Sequence, residues 1–240
     1  SPENDMTRVT PEGYFVHGTS TLYNTDGGLQ WVKTSRSHEQ EQAIREEALD
    51  AFMEEIPPSP PVDPVQLDHT NLLNLYVITD YHIGMLAWGE ETRGDNWNTE
   101  IAEELIVNWF KAAVAQAPPA DVALFGQLGD FLHIDGLVPI TPASGNVLDA
   151  DTRYQNIVRV AVKVTKRIIG MLRAKYPHVH IIMADANHDP AGGVWLREML
   201  ASAHADDPTI TVDTSPDSYY CYSWGDVSLF FHHGHKRQVP

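Results

Sequence analysis

Cysteine is nearly absent. Cys221 is the only one in 240 residues, so no internal disulfide framework holds the fold, and a reducing, cytoplasmic compartment is expected. Long apolar runs are also missing. No stretch approaches about 18 consecutive apolar residues, which excludes an apolar transmembrane helix and a membrane partner of that kind. Residues 1–10 are polar and acidic and show no secretory apolar region. Positive charge is scarce: 16 Lys and Arg stand against 33 Asp and Glu, a formal net charge of −17. That balance disfavours sequence-independent binding to nucleic acid through bulk electrostatics. The 42% of hydrophobic residues describe a globular chain with one large domain, or one plus a small one. Histidine is abundant, at 12 residues, and its chemistry suits metal sites and proton transfer.

The acidic charge is uneven. Residues 1–70 hold thirteen acidic and four basic residues, the denser share. Residues 13–23 read as a strand, Thr25-Asp26-Gly27-Gly28 as a turn and residues 29–34 as the return strand. Residues 38–56 read as a helix, with Ile44, Ala48, Phe52 and Ile56 at i+4 steps. The run Pro57-Pro58-Ser59-Pro60-Pro61 ends it, because proline lacks an amide donor and clashes inside helices. We therefore divide the chain into an N-terminal hairpin and helix (1–56), a Pro-rich linker (57–70) and a main domain (71–240). The first segment is a candidate surface for a homodimer or a partner subunit.

From residue 71 the pattern alternates. Strands are expected at 72–79, 122–127, 179–184, 210–213, 219–224 and 227–232, and helices at 98–117, 153–176 and 192–205. The second of these helices should bury Ile157, Ala161, Val164, Ile168 and Met171. In the first, Ile101, Leu105, Trp109 and Ala113 share one face, with Asn98 or Thr99 as N-cap. This order predicts an α/β fold with a parallel start and an antiparallel finish. The 153–175 segment carries seven of the basic residues and no acidic one. Arg159, Lys163, Lys166 and Arg173 fall near one face opposite the apolar stripe, either as a solvated face or as a phosphate-contact surface. Two Gly- and Asp-rich connections, 88–97 and 143–151, are candidate substrate-shaping loops or partly disordered segments.

Polar residues gather at the C-terminal ends of the expected strands, where open α/β sheets place ligands. Asp80-Tyr81-His82 follows the first, Gly129-Asp130-Phe131-Leu132-His133 the second and Asn187-His188-Asp189 the third. His232-His233-Gly234-His235 ends the last. Carboxylate, imidazole and amide oxygen are all metal-ligand types. In an extended segment residues i and i+2 point to the same side, so Asp80 and His82 are expected to grip one cation. Asp130 would bridge to a second, completed by Asn187 and His233. Two cations so placed clamp both oxygens of a phosphoester displacement.

These pieces, in this order, resemble the calcineurin-like metallophosphoesterase superfamily. Its pattern runs D-x-H, G-D, G-N-H-[DE], H and then G-H-x-H. The resemblance covers residues 71–240 and leaves 1–70 unexplained. It implies a sandwich of two mixed sheets flanked by helices, and two divalent cations, manganese first, with iron, zinc or nickel as alternatives. It also implies hydrolysis of phosphodiesters by a metal-activated hydroxide. Asp80-x-His82-x-Gly84 and Gly129-Asp130-x-x-His133 are similar to the nuclease subunits of DNA double-strand-break repair complexes. On that likeness His133 faces the scissile phosphate. His188 becomes the transition-state stabiliser or proton donor, with Asp189 behind it, since a carboxylate fixes a histidine's tautomer. His233 is the ligand of the final cluster and His235 lines the site. His232 should pack on the sheet's other face, with His178 and His180 structural or exposed.

Two departures stand out. Ala186 replaces the family's usual glycine before Asn187 and would be strained if that position needed a positive φ. Gly234-His235-Lys236-Arg237 has Arg where the closing histidine belongs, so the chain is expected to be a fragment, with the last two histidine ligands beyond Pro240. Three functions follow as expectations: a phosphodiesterase of nuclease type acting on DNA, a phosphomonoesterase or cyclic-nucleotide phosphodiesterase, and a catalytically impaired protein-binding module on the same fold.

Overall fold

Prolines and caps set the element boundaries. The computed structural model describes residues 19–25, 28–34 and 71–236. The expected helix at 38–56, the Pro-rich linker and residues 13–18 lie outside the described residues. The chain divides into two compact units, Ser1–Pro57 and Pro58–Pro240. In the first unit, β1 (Thr19–Thr25) pairs antiparallel with β2 (Gly28–Thr34), in a register that sets Thr25 opposite Gly28. The first strand thus runs past the expected end at residue 23, and the second starts one residue before the expected 29.

The second unit begins with β3 (Leu73–Ile78) and the short α1 (Gly89–Thr92). It continues through α2 (Thr99–Gln116), β4 (Val122–Gln127), α3 (Tyr154–Arg173), β5 (His178–Met183) and α4 (Pro190–Ala203). Three short strands finish it: β6 (Ile210–Val212), β7 (Tyr220–Trp224) and β8 (Val227–Phe231). The Asn98 side chain accepts from the Ile101 amide at 2.8 Å and caps α2, as its residue type predicts. Strands β3-β4-β5-β6 form one sheet in sequence order, every pair parallel, and β7-β8 form a separate antiparallel pair. Each sheet is thus of one kind where mixed sheets were expected. Among the described residues no helix is long and apolar enough to cross a membrane.

All six residues of β4 are buried, because both faces of the parallel sheet are covered. On one face Phe125 meets Phe110 of α2 edge-on, with ring centroids 5.5 Å apart, and Phe110 also meets Tyr76. On the other, Leu124, Ile182 and Ala184 pack with Tyr220 and Phe231 of β7-β8. Successive strand residues point to opposite faces, which is why neighbours 124 and 125 serve different layers.

One helix differs from expectation in which side it buries. Helix α2 docks through Ala102, Ile106, Val107, Phe110 and Val114, leaving Ile101, Leu105 and Trp109 exposed. Anchoring Phe110 between Tyr76 and Phe125 rotates the apolar stripe outward by one residue. Helix α3 buries Ile157, Ala161, Val164 and Ile168 as expected, with Met171 half-buried. Of its basic residues, Lys163 and Arg167 stay about half-exposed while pairing across to α2, and Arg173 turns inward. Lys163 and Arg167 reach Glu103 of α2 at 2.6 and 3.1 Å. Arg173 is buried and pairs with Asp207. Lys175 donates to the carbonyls of Val114 and Ala117 at the end of α2.

Candidate metal centre

The loops after β3 and β4 run side by side as a backbone ladder. Asp80 N donates to Gly129 O, His82 N to Asp130 O, Ile83 N to Phe131 O and His133 N back to Ile83 O, at 2.8 to 3.0 Å. Ile83 and Leu132 are fully buried and anchor the ladder to the core. These loops are not extended. Asp80, His82 and Asp130 have φ of 50°, 50° and 51°, and Gly84 and Gly129 have φ of 95° and 109°. The same-side argument for Asp80 and His82 is therefore corrected: two left-handed residues, not a continuing strand, bring their side chains together. Each non-glycine in that region costs about 1–2 kcal/mol, and such strain concentrates at functional sites. Gly84 is required because a Cβ there would lie 2.3 Å from Ile157 Cδ1.

Asp130 is the hub. It is buried, and its Oδ1 accepts from the amides of Asn187 and His188 at 3.1 and 2.9 Å. Its Oδ2 lies 3.3 Å from His233 Nε2, which in turn lies 2.9 Å from Asn187 Oδ1. His233 Nδ1 donates to the Leu128 carbonyl at 2.9 Å. That bond places a proton on Nδ1 and turns Nε2 towards Asn187 Oδ1 and Asp130 Oδ2. Carboxylate oxygen, amide oxygen and imidazole nitrogen thus converge, with Nε2 2.9 and 3.3 Å from the two oxygens, all three being metal-ligand types.

A second convergence adjoins it. Asp80, His82 and Asp130 each offer a ligand atom, and all three atoms lie within 4.8 Å of one another. His82, His133 and His188 do the same. The His82 and His133 Nδ1 atoms are 3.4 Å apart, and the His188 ring lies 4.6 Å from His82, nearly perpendicular. Burial, reinforced by the neighbouring His188, pushes His82 below its ordinary pKa despite Asp130 and Asp80. Burial and the neighbouring imidazoles bring His133 down to about 4. Both therefore present neutral rings, the form that binds metal. The donor set fits divalent cations, and it draws His133 and His188 into ligand distance as well as the five residues expected to hold metal.

The histidine–carboxylate relation differs from expectation. His188 Nδ1 donates to the His133 carbonyl at 3.0 Å, and this bond sets its tautomer. Asp189 instead turns inward and accepts from Leu132 N at 2.9 Å. It steadies the loop that carries His133. Burial raises its pKa to about 7, against the backbone bonds and with help from Asp130 and Asp135. Asp135, not singled out from the sequence, accepts from Ala191 N and Gly192 N at 2.7 and 2.6 Å and fixes the start of α4. No local signal marks it, since its partners lie 56 and 57 residues away.

The remaining candidates sort cleanly. Ala186 is buried, its φ is not positive, and its Cβ packs where a side chain at Gly129 would go. His235 sits beside His233, ring centroids 5.3 Å apart, and 3.9 Å from Asp185. His232 is exposed against Tyr219, His178 is exposed, and His180 bonds Thr211 Oγ1 at 2.7 Å. The 143–151 connection is pinned to the loop after β3 through Leu86 N to Asp149 O and Asp151 N to Gly84 O, while 88–97, which contains α1, is closed by Ala87 and Trp97 exchanging backbone bonds. Compared with known proteins, the chain matches no protein-family model, no curated protein and no solved structure.

Proposed function

We propose that this chain is a divalent-metal-dependent phosphodiesterase with a metallophosphoesterase-type sandwich and a two-cation centre. The observation that carries this reading is Asp130. One buried carboxylate contacts Asn187 and His233 and also has an oxygen within 4.8 Å of ligand atoms of Asp80 and His82. A carboxylate so placed is what two mutually repelling dications require. Divalent cations, manganese first, would supply charge neutralisation of the phosphoryl oxygens and a lowered pKa for water. The chain's own part is to hold five ligand groups on strained, zipped loops. His188, with its Nδ1 donating to the His133 carbonyl, would stabilise or protonate the leaving oxygen through Nε2 once that nitrogen has itself taken up a proton. His133, buried and neutral, stands beside it and favours a diester. A nucleic-acid end is the substrate the resemblance suggests, and the lone Cys221 agrees with a cytoplasmic setting.

The test is turnover of bis-p-nitrophenyl phosphate, p-nitrophenyl phosphate and single-stranded DNA with and without manganese. Manganese-dependent diester cleavage, reduced at least about a hundredfold in Asp130→Asn, is the expected result. Turnover of the monoester alone would replace the diesterase reading. Manganese that neither binds nor raises the thermal midpoint would leave a protein-binding module.

A further inference from the structure

Beside the candidate centre lies a cavity of about 250 Å³, its wall including Met183, Asp185, Pro190, Val194, Arg197 and Lys236. Both segments that deliver candidate ligands run on into it. Asp185 lies two residues before Asn187, and Lys236 three after His233. Arg197 is the only Lys or Arg between Tyr176 and His235, yet it is 6% exposed. Its Nη1 donates to the Tyr220 hydroxyl at 3.1 Å. Its Nε is buried without a hydrogen-bond partner, the nearest carboxylate oxygen, on Glu198, being 3.9 Å away. A buried guanidinium with an unused donor costs free energy unless an anion takes it up. Across the cavity Lys236 pairs with Asp185 and donates to Ser218 Oγ at 2.7 Å. Lys236 is half-exposed on a flexible stem, so it is able to leave Asp185 for a stronger anion. Arg197 and Lys236 thus bring two cations to this wall, one with its Nε unused and the other half-exposed, on a chain of net −17.

We propose that this cavity is a subsite for a second, non-scissile phosphoryl group of the substrate, held by the Arg197 guanidinium with Lys236 closing over it. A planar fork suits a phosphate's paired oxygens, and an ammonium adds a point charge. The role as a substrate subsite rests on the phosphodiesterase reading, whereas anion binding in the cavity does not. The ligand class is a phosphoester carrying another phosphate one residue from the scissile one, such as a nucleotide with a free terminal phosphate.

Two arms test this. Inorganic phosphate is titrated calorimetrically into the full chain in EDTA, with Lys236→Ala and Arg197→Lys in parallel and circular dichroism as the folding check. Binding weakened about tenfold or more in both variants is expected. Equal affinity in wild type and in folded Lys236→Ala overturns the proposal. In the second arm, with manganese, thymidine 5′-p-nitrophenyl phosphate is compared with its 3′-phosphorylated form. The extra phosphate should lower KM about tenfold in wild type and much less in Lys236→Ala. Turnover of both compounds with the same KM overturns the subsite while leaving the phosphodiesterase reading in place. Variant-sensitive phosphate binding with no turnover of any ester supports the anion site and removes the hydrolase reading.

Discussion

Gly129→Ala places a methyl group in the most crowded part of the candidate centre. A Cβ there would stand 2.6 Å from His233 Nδ1, 2.7 Å from His233 Cγ and 2.9 Å from the Cβ of Ala186. The imidazole has no easy retreat, since Nδ1 is bonded to the Leu128 carbonyl at 2.9 Å and Nε2 meets Asn187 at 2.9 Å. The backbone adds to the cost, because φ is 109° at this position. Left-handed strain of about 1–2 kcal/mol and overpacking of about 1–3 kcal/mol together give about 2–5 kcal/mol. Urea unfolding measures it. With a slope of about 2 kcal/mol per molar, the midpoint should fall by about 1–2.5 M. Gly136→Ala is the control, since a Cβ there meets nothing within 4 Å and its φ is not in the left-handed range. Its effect should stay within about 0.5 kcal/mol. A Gly129→Ala midpoint indistinguishable from that of Gly136→Ala would refute the reasoning, and with it the claim that His233 is held rigidly against the loop after β4.

Two further outcomes follow from the fold. Gly170→Ala, on the exposed side of α3 with nothing within 4 Å, should stabilise the chain by about 0.4–1 kcal/mol in the same urea assay, and a loss would contradict the helix assignment. Asp207 is the pH-dependent element: burial alone would raise its pKa, but bonds from Thr209 and the nearby Arg173 outweigh burial and hold it below the ordinary carboxylate value. A depressed folded pKa means that the stabilisation is present above the ordinary carboxylate range and is lost as pH falls through the folded value. Asp207→Asn should therefore cost about 3 kcal/mol near neutrality, where it leaves the buried Arg173 unpaired. The cost should shrink steadily in urea titrations carried below the ordinary carboxylate range, and one unchanged by acid would remove the ion pair from the account.

Much of the site was legible because its information is short-range. Asp80-x-His82, Gly129-Asp130 and Asn187-His188 each announce a polar tip after an apolar strand, and parallel strands carry such tips to one end of a sheet. The faces of α2 and the fate of the α3 cations were not legible in the same way. Periodicity groups Ile101, Leu105 and Trp109 together, but only the docking of Phe110 against Tyr76 and Phe125 decides which group is inward. Charge runs show that Arg173 and Lys163 are cationic, not that one is buried on Asp207 and the other paired with Glu103.

Asp189 shows the same boundary most sharply. Its place next to His188 suggests an orienting carboxylate, yet it bonds Leu132, 57 residues back in the chain, while a carbonyl orients His188. Sequence by itself determined the order of the main strands and helices from residue 71, the stop of α2 before Pro118, a cap at Asn98 or Thr99 and the residue types gathered at the strand ends. All of these depend on interactions within a few residues. Tertiary structure alone decided the left-handed turns at Asp80, His82 and Asp130, the room that Gly129 leaves for His233, and the partners of every buried charge. Those depend on backbone and side chains from distant segments meeting in one place, and the packing energy of that meeting overrides local preference.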